Sequence, residues 1–528
     1  MFPSTWKADL GSGFLVFLIA LPLCLGISMA SGFPPTAGIL TAVIGGLIVS
    51  FAGSARLTIK GPAAGLIVIA LGAVTELGAG NNVLGYKRAL AVVVAAGVIQ
   101  ILFALCKAGA VGDLMPPSVV HGMLAAIGVI IISKQTHVAL GVIPQGKEPL
   151  HLLAEIPHSI LNLNPEVCFI GFLSLLILFG LPLLKFKWIR QIPGPMIVLL
   201  AAVPLGLYFD LEHEHNYVLS NHLFHVGPNF LIRLPGSLAS TIAFPDFSAI
   251  FSAASLKYIV MFALVGSIES LLSVSAVDSL DPEKRSSDMN KDLLATGIGN
   301  TLAGALGGLP MISEIVRSKA NIDNGAKTHW SNFFHGMFLL LSLALIPNLL
   351  QEIPLAALAG MLIYTGFRLA SPKEFAHVYK IGPEQLVLFV VTLVVTLASD
   401  LLIGVGVGML LKVALHLKNG ARLRSLFRAI VEEERNEGEL ILRVHEAAIY
   451  TNFLGLKRRL LNLDESITTV VIDFENAWVV DHTVLEKLHM IERSWTNRRL
   501  VLIGLDGHEK SSDHHLAARR RPRPLGAA

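Results

Sequence analysis

Apolar runs of about 18–22 residues recur along this chain from Leu10 to Leu417, and each run is long enough to cross the hydrocarbon core of a bilayer. The 528 residues are 53% hydrophobic and only 15% charged, which is too apolar for an ordinary soluble protein. Because every backbone polar group inside a bilayer needs a partner within the protein, helices are the expected spanning element. The sequence therefore predicts a polytopic α-helical membrane protein.

The apolar runs divide into two sets of seven, which we interpret as a seven-plus-seven inverted repeat of 14 spans. The repeats occupy about residues 9–210 and 255–418 of a transmembrane domain covering 1–418. The third span of each set is short. The predicted spans lie at about 10–30, 36–52, 62–76, 86–106, 119–135, 166–186 and 194–209, and at about 255–277, 289–306, 311–319, 330–348, 355–369, 384–398 and 400–417.

Each short span begins with a glycine–proline interruption, KGPAAG at residues 60–65 and GGLPMIS at residues 307–313. Paired, interrupted apolar segments at corresponding places are typical of transporters built from inverted repeats. Each break frees a helix N-terminus, where unpaired N–H groups and the positive end of the helix dipole favour an anion. We therefore expect substrate to contact residues near the two breaks and one acidic residue between them: Lys60, Ala63, Ala64, Gly65, Glu269, Met311, Ile312 and Ser313.

The acidic residue is Glu269, which shares a small and polar helix face with Gly266 and Ser273. A carboxylate at mid-membrane costs about 2.5–3.5 kcal/mol, so it is expected to face a cavity and to have a function. One interpretation is that Glu269, with Ser273, binds a co-transported H⁺ or Na⁺. The other is that Glu269 is a buried ion-pair partner that locks two helices together.

Three more charged residues flank the breaks. Lys60 either helps to hold an anion beside the first helix N-terminus or extends to the cytoplasmic face as an anchor. Arg317 either supplies positive potential to the pathway or, near the inner end of its span, acts as an anchor. Glu314 would repel an anion, so we expect it to form an i,i+3 ion pair with Arg317, with a coupling role as the alternative.

The composition changes after residue 418. Residues 438–510 predict a small α/β domain with strands at 440–444, 469–474 and 500–503 and helices at 453–463 and 483–493. Residues 511–528 form a basic tail that we expect to be disordered. The soluble part contains neither a phosphate-binding loop nor a dinucleotide fingerprint, and the three cysteines lack metal-ligand spacing, so we expect no enzyme activity, cofactor or metal.

Charge sets the expected orientation. Lys and Arg are concentrated in loops such as those at Arg56, Lys107, Lys284-Arg285 and Arg368, which indicates that both termini are cytoplasmic in a multi-pass inner (plasma) membrane protein. The formal net charge of +3 is too small to suggest a nucleic-acid partner.

These motifs together resemble the sulfate-permease (SulP) family of anion transporters. The resemblance rests on GPAAG at 61–65, GSIESL at 266–271, GGLP at 307–310 with Arg317-Ser318, and Asn321 with GAKT at 325–328. The C-terminal domain is similar to the family's cytoplasmic STAS domain, with 471–474 as its central strand. The resemblance implies a core and a gate domain, substrate held between the two short helices, elevator-like movement and a homodimer.

The resemblance also bears on coupling. In relatives, the acidic position in the eighth span is linked to cation coupling, and a glutamate there, as in Glu269, favours H⁺. Ser273 matches a hydroxyl position of the sodium site in relatives, so Na⁺ stays open as the coupling ion. Lys60 and Glu314 depart from the small or apolar residues common at their positions, which leaves the choice of substrate open.

The sequence thus favours a secondary active transporter of a small inorganic anion, bicarbonate or sulfate, coupled by symport with H⁺ or Na⁺. The alternatives are an anion exchanger or channel, and a membrane sensor that signals through the STAS-like domain.

Overall fold

The computed structural model describes residues 5–522 apart from 110–114, 147, 184–191, 220–221, 235–238, 437, 462, 465 and 496. The chain divides into two compact units. The first contains the chain up to Gly109 together with Ile127–Arg368, and the second contains the segment ending at Ala126 together with the chain from Leu369 onwards. The end of the span predicted at 166–186 and the last residues of the predicted tail, 523–528, lie outside the described residues.

Apolar helices dominate the first half of the chain, and several begin with proline in the first turn, where its missing N–H costs nothing. Asn81 and Asn164 each cap the helix that follows them, by accepting hydrogen bonds from Leu84 N and Val167 N. The elements are α1 (Trp6–Ala30), α2 (Pro35–Ile44) with a π-helical turn (Gly45–Val49), α3 (Ser50–Ala52), β1 (Ile59–Pro62), a 3₁₀ turn (Ala64–Leu66), α4 (Ile67–Gly78), α5 (Asn82–Leu105), α6 (Pro117–Ala139), α7 (Pro149–Leu161), α8 (Pro165–Gly180), α9 (Gly194–Tyr208) and the antiparallel strands β2 (His215–Leu219) and β3 (His222–Val226).

The second half follows the same order. Side chains of Ser252, Asp288 and Asp400 cap helices by accepting hydrogen bonds from backbone N–H groups. The elements are α10 (Ala253–Leu280), α11 (Met289–Leu306), β4 (Met311–Glu314), α12 (Ile315–Asp323), α13 (Trp330–Leu345), α14 (Pro347–Gln351), α15 (Leu355–Leu369), α16 (Pro372–Ile381), α17 (Pro383–Ala398) and α18 (Leu401–Lys418).

The predicted membrane fold is confirmed, since each predicted span contains a helix. Among the described residues, eight helical segments are long and apolar enough to cross a bilayer, and four shorter apolar helices accompany them. The count of fourteen spans stays a prediction. The two segments predicted as short spans are each a strand followed by a helix, so the glycine–proline breaks change the type of structure rather than only shortening a helix.

Close packing of α5 against α11 supports the centre of the first unit. A Cβ added to Gly304 would lie 2.9 Å from the carbonyl oxygen of Leu90, and one added to Gly297 would lie 2.8 Å from the backbone nitrogen of Ile101. Small residues let helix backbones approach closely inside a membrane, where no water drives association. This contact fixes α11, which carries Asp292, Thr296 and Asn300 towards the interrupted segments.

The C-terminal domain lies in the second unit and contains a mixed sheet of seven strands among the described residues. Its elements are β5 (Ile430–Asn436), β6 (Glu439–Ala448), α19 (Phe453–Leu461), β7 (Thr469–Asp473), β8 (Ala477–Val480), α20 (His482–Ser494), β9 (Arg499–Ile503), β10 (Glu509–Lys510) and β11 (Arg519–Arg520). The strand order is β10-β11-β8-β6-β7-β9, with β5 paired to β6. The three predicted strands and two predicted helices are confirmed, and their apolar faces form one core that includes Leu442, Val470, Ile472, Phe474 and Val484.

The expectation that the whole tail from residue 511 is disordered is wrong for its described part. Strand β11 pairs with both β10 and β8, and the backbone N–H of Arg521 donates to the Trp478 carbonyl oxygen. The basic composition of residues 511–528 suggested a tail surrounded by water. In the structure, the backbone groups of β10 and β11 pair with the sheet and cover the edge that β8 would otherwise leave unpaired.

Candidate binding site between two interrupted helices

The two glycine–proline breaks meet as a short antiparallel strand pair inside the first unit. Strand β1 pairs with β4 in the register Ile59↔Glu314, Lys60↔Ser313, Gly61↔Ile312 and Pro62↔Met311. All four residues of β1 are buried. Pairing satisfies backbone groups that the interrupted helices no longer satisfy, as the interior of a membrane protein requires.

Each strand leads directly into a helix whose own N-cap residue makes no side-chain capping hydrogen bond. Ala63 has an extended conformation ahead of the 3₁₀ turn at Ala64–Leu66, and Glu314 precedes α12; neither makes a side-chain capping hydrogen bond. The first N–H groups of both helices therefore lie next to the strand pair. This is the geometry that the sequence predicts for anion binding.

The structure places Lys60 in a buried ion pair. Its side chain is 2% exposed and pairs with Asp292 of α11, and its ammonium donates to the hydroxyl of Ser313 at 2.7 Å. The interpretation that Lys60 reaches the cytoplasmic face is therefore wrong. Because Asp292 and Ser313 already engage the ammonium, Lys60 joins the two breaks to α11.

Sequence reasoning missed Asp292, Asn300 and Ser270, which hold β4 in place. Asn300 accepts a hydrogen bond from Met311 N at 2.6 Å and donates to the Met311 carbonyl oxygen at 3.1 Å, and Ser270 accepts from Ser313 N at 3.1 Å. Asp292 stands near the start of α11, where an acidic residue is common for dipole reasons alone. The signal that was available is a carboxylate and an amide in an apolar span, each of which needs a partner.

Glu269 of α10 reaches the start of the first interrupted helix. A Cβ built on Gly65 would overlap both carboxylate oxygens of Glu269, so any larger residue there would displace the Glu269 carboxylate. Oxygen Oε2 of Glu269 is buried without a hydrogen-bond partner among the described residues. Ser273 lies one turn further along the same helix and is buried.

The expected ion pair between Glu314 and Arg317 is wrong: among the described residues none joins them. Arg317 is 1% exposed, and its guanidinium donates to the Pro62 carbonyl oxygen at 3.1 Å and to the Cys24 sulfur at 3.6 Å. The Glu314 carboxyl instead lies against the backbone N–H of Ala64. Each side chain thus contacts a backbone group of the first break, Pro62 for Arg317 and Ala64 for Glu314.

The site thus brings together most of the residues predicted from sequence: the backbone of Ala63–Gly65, Glu269, Glu314, Arg317 and the strand Met311–Ser313. Within the part of the chain that the structure describes, no group of three or more His, Cys, Asp or Glu side chains is arranged to hold a metal ion. The chemistry of the site is that of helix N-termini, one buried guanidinium and two carboxyls.

Comparison with known proteins relates the chain to anion transporters. The family model described as the sulfate permease family matches residues 6–392. The chain is 28% identical over 409 residues to "Putative sulfate transporter YvdB" of Bacillus subtilis strain 168, covering 77% of this chain and 72% of that one. It is 26% identical over 421 residues to the bicarbonate transporter BicA of a Picosynechococcus strain, covering 79% and 71%.

Two solved structures have the same fold. The transmembrane domain of a cyanobacterial BicA superposes with a TM-score of 0.64 at 25% identity, covering 77% of this chain and 98% of that one. The overall structure of SLC26A9 superposes with a TM-score of 0.68 at 13% identity, covering 94% and 84%.

Paired interrupted helices inside an apolar bundle define a multi-pass membrane transport protein. The chain belongs to the sulfate permease family. Its C-terminal sheet domain is consistent with the STAS domain of that family. The relatives named above are transporters, not enzymes.

Proposed function

We propose that the protein is a secondary active transporter that carries a small inorganic anion, bicarbonate or sulfate, across the inner membrane. The observation that carries this proposal is the strand pair β1–β4, which brings two helix N-termini, neither capped by its own N-cap side chain, to one place beside a buried arginine. Within the described residues no carboxylate lies within 4 Å of the Arg317 guanidinium, and Glu314 acts on it only from beyond ion-pair distance. A buried cation needs a counter-charge, and a bound anion would supply it.

Glu269 is the coupling residue in this proposal. An anion at Ala64 and Gly65 would approach the Glu269 carboxylate closely, because that carboxylate already lies against Gly65. Like charges at such a distance disfavour each other unless one takes up a cation. We favour H⁺ over Na⁺ as the coupling ion, with Ser273 as the additional ligand if the ion is Na⁺.

The remaining features of the proposal follow the family resemblance. Both termini are cytoplasmic, two copies associate as a homodimer, and a core domain that carries the strand pair moves as a rigid body against a gate domain. The candidate site suits this movement because the two interrupted segments are tied to each other and to α11 through Lys60, so they would move together.

The test is uptake of labelled bicarbonate and of labelled sulfate by purified protein in proteoliposomes, driven by an imposed pH step or Na⁺ step. We expect one of the two anions to accumulate against its own gradient when the outside is acidic. The variant Glu269→Gln should lose accumulation and keep exchange of anion for anion. Glu212→Gln, in an exposed loop, is the matched control and should behave as wild type.

Three results would overturn the proposal. Downhill flux without accumulation indicates a channel, and strict one-for-one exchange without response to pH or Na⁺ indicates an exchanger. Absence of flux with intact protein favours the sensor interpretation. Normal accumulation by Glu269→Gln would reject coupling through that residue alone.

A further inference from the structure

Two carboxyl groups, not one, lie at the N-terminus of the first interrupted helix. Glu314 comes from β4 in the second half of the chain, and its carboxyl lies against the N–H of Ala64. Glu269 comes from α10, and its carboxylate lies against the next residue, Gly65. The position that attracts an anion in this fold is therefore already faced by two acidic side chains.

The two groups oppose each other electrostatically. One oxygen of each, Glu269 Oε2 and Glu314 Oε1, is buried and makes no hydrogen bond within the described residues. Two carboxyl groups that share a poorly solvated site cannot both ionise without cost, and such pairs commonly hold one proton between them. The unpartnered oxygens are where such a proton would be accepted.

The surrounding charges do not neutralise the pair. The elements packed against β4 are β1, α10, α11 and α12, and they present Lys60, Glu269, Asp292 and Arg317. Lys60 and Asp292 form an ion pair with each other and cancel. The thiol of Cys24 on α1 also faces Glu314. Within the described residues, the one unpaired positive charge beside the two acidic groups is that of Arg317, which acts on Glu314.

We propose that Glu314 and Glu269 act as a single proton-binding pair, and that the anion binds at Ala64 and Gly65 only when this pair holds one proton. This inference rests on the proposed function and specifies how its coupling works. When both groups are ionised, the site carries a net negative charge with Arg317 and repels an anion. When one proton from the water on the entry side converts one carboxylate to a carboxylic acid, the pair and Arg317 balance, and the anion can enter.

The pair predicts that removing either carboxylate has the same effect. Glu314→Gln and Glu269→Gln each reproduce the charge of the protonated pair, so anion binding should no longer need a proton in either variant. If Glu269 were the proton site by itself, Glu314→Gln would leave the proton requirement unchanged. The shared-proton account and the account with Glu269 alone therefore make different predictions for Glu314→Gln.

The experiment measures the half-saturating concentration for anion exchange in proteoliposomes at several pH values, with whichever of bicarbonate and sulfate the wild type takes up. For the wild type, the value should rise by about tenfold per pH unit on the alkaline side, the dependence expected when one proton binds with the anion. In Glu314→Gln the value should change little with pH. Glu314→Asp keeps a carboxyl, so its value should still depend on pH, but over a shifted pH range because the shorter side chain holds the carboxyl away from Ala64. Glu212→Gln is the control and should match the wild type.

The outcomes separate the two proposals. A wild type whose anion binding does not depend on pH rejects the proton-coupled function itself. A pH-dependent wild type with an equally pH-dependent Glu314→Gln rejects the pair and leaves Glu269 as the coupling residue. If Glu314→Gln fails to fold, Glu314→Asp decides, since a shortened acid that places its carboxyl away from Ala64 should shift the pH dependence by a measurable amount, and an unchanged profile contradicts the pair.

Discussion

Lys60 and Ser313 are direct register partners across the β1–β4 pair, and the Lys60 ammonium donates to the Ser313 hydroxyl at 2.7 Å. One residue comes from each half of the chain. The same ammonium pairs with Asp292 of α11, so a single cation ties both interrupted segments to a third element. The candidate anion site is built on this connection.

Replacing Lys60 by Met should destabilise the protein strongly. The variant leaves the Asp292 carboxylate buried without its cation, and breaking a buried pair in this way costs about 3–5 kcal/mol. Thermal unfolding of the purified protein measures the effect. The double variant Lys60→Met/Asp292→Leu removes both charges and should recover most of the loss. A single variant that unfolds at the wild-type temperature would contradict the structural role of this pair.

Replacing Arg317 by Gln should weaken anion binding by about tenfold or more, because a charge-assisted hydrogen bond contributes roughly 1.5–3 kcal/mol. Arg317→Lys should not restore binding fully, since an ammonium cannot reproduce the planar arrangement of donors. Substrate competition in proteoliposomes measures both variants. Arg368→Gln, at an exposed position of α15, is the control, and equal losses in the two glutamine variants would count against a specific role for Arg317.

A methyl group at Gly65 should disable the site. In Gly65→Ala the new Cβ overlaps the Glu269 carboxylate, and overpacking of this kind typically costs about 1–3 kcal/mol. We expect uptake to fall by about tenfold while the protein stays folded, as judged by size-exclusion chromatography. Gly11→Ala, where nothing lies within 4 Å of the added Cβ, should leave uptake unchanged. Full activity of Gly65→Ala would show that Glu269 does not lie at this helix N-terminus during transport.

The C-terminal unit offers a prediction on pH. Burial would raise the pKa of Asp481, but the neighbouring Lys412 and His416 hold the pKa of that carboxyl well below its usual range. Lys412 Nζ and Asp481 Oδ1 are 2.7 Å apart. A depressed pKa stabilises the fold above the unfolded value of about 4, and this contribution is lost as the pH falls towards the folded value.

The measurement is thermal unfolding of wild type and Asp481→Asn between about pH 3 and 7, a window around the unfolded carboxyl pKa. At neutral pH the variant should unfold at a lower temperature, because Lys412 is left buried without its anion. The difference between the two proteins should shrink as the pH falls. A difference that stays constant across the range would show that the carboxylate charge is not what stabilises this contact.

Local sequence signals were enough to locate the two breaks. Glycine and proline disfavour a continuous helix, and they interrupt the apolar runs at Gly61-Pro62 and between Gly308 and Pro310. They were not enough to predict that the residues at the breaks pair as strands. That pairing joins residues about 250 positions apart, and its register depends on contacts that no local pattern contains.

Charged side chains were the least predictable part of the site. The spacing of Glu314 and Arg317 favours a helical i,i+3 pair, yet Arg317 turns to the Pro62 carbonyl oxygen and Glu314 to the Ala64 N–H. The partner of Lys60 could not be named from sequence because Asp292 resembles an ordinary first-turn acid of α11. In both cases tertiary partners outweighed a local rule.

The central claim is that one anion binds where the two interrupted helices begin. A cryo-electron microscopy structure of the full chain with saturating substrate tests it most directly. We predict density for the anion within hydrogen-bond distance of the Ala64 and Gly65 N–H groups and close to the Arg317 guanidinium. Substrate density elsewhere in the protein, with the β1–β4 region unchanged and unoccupied, would contradict the account.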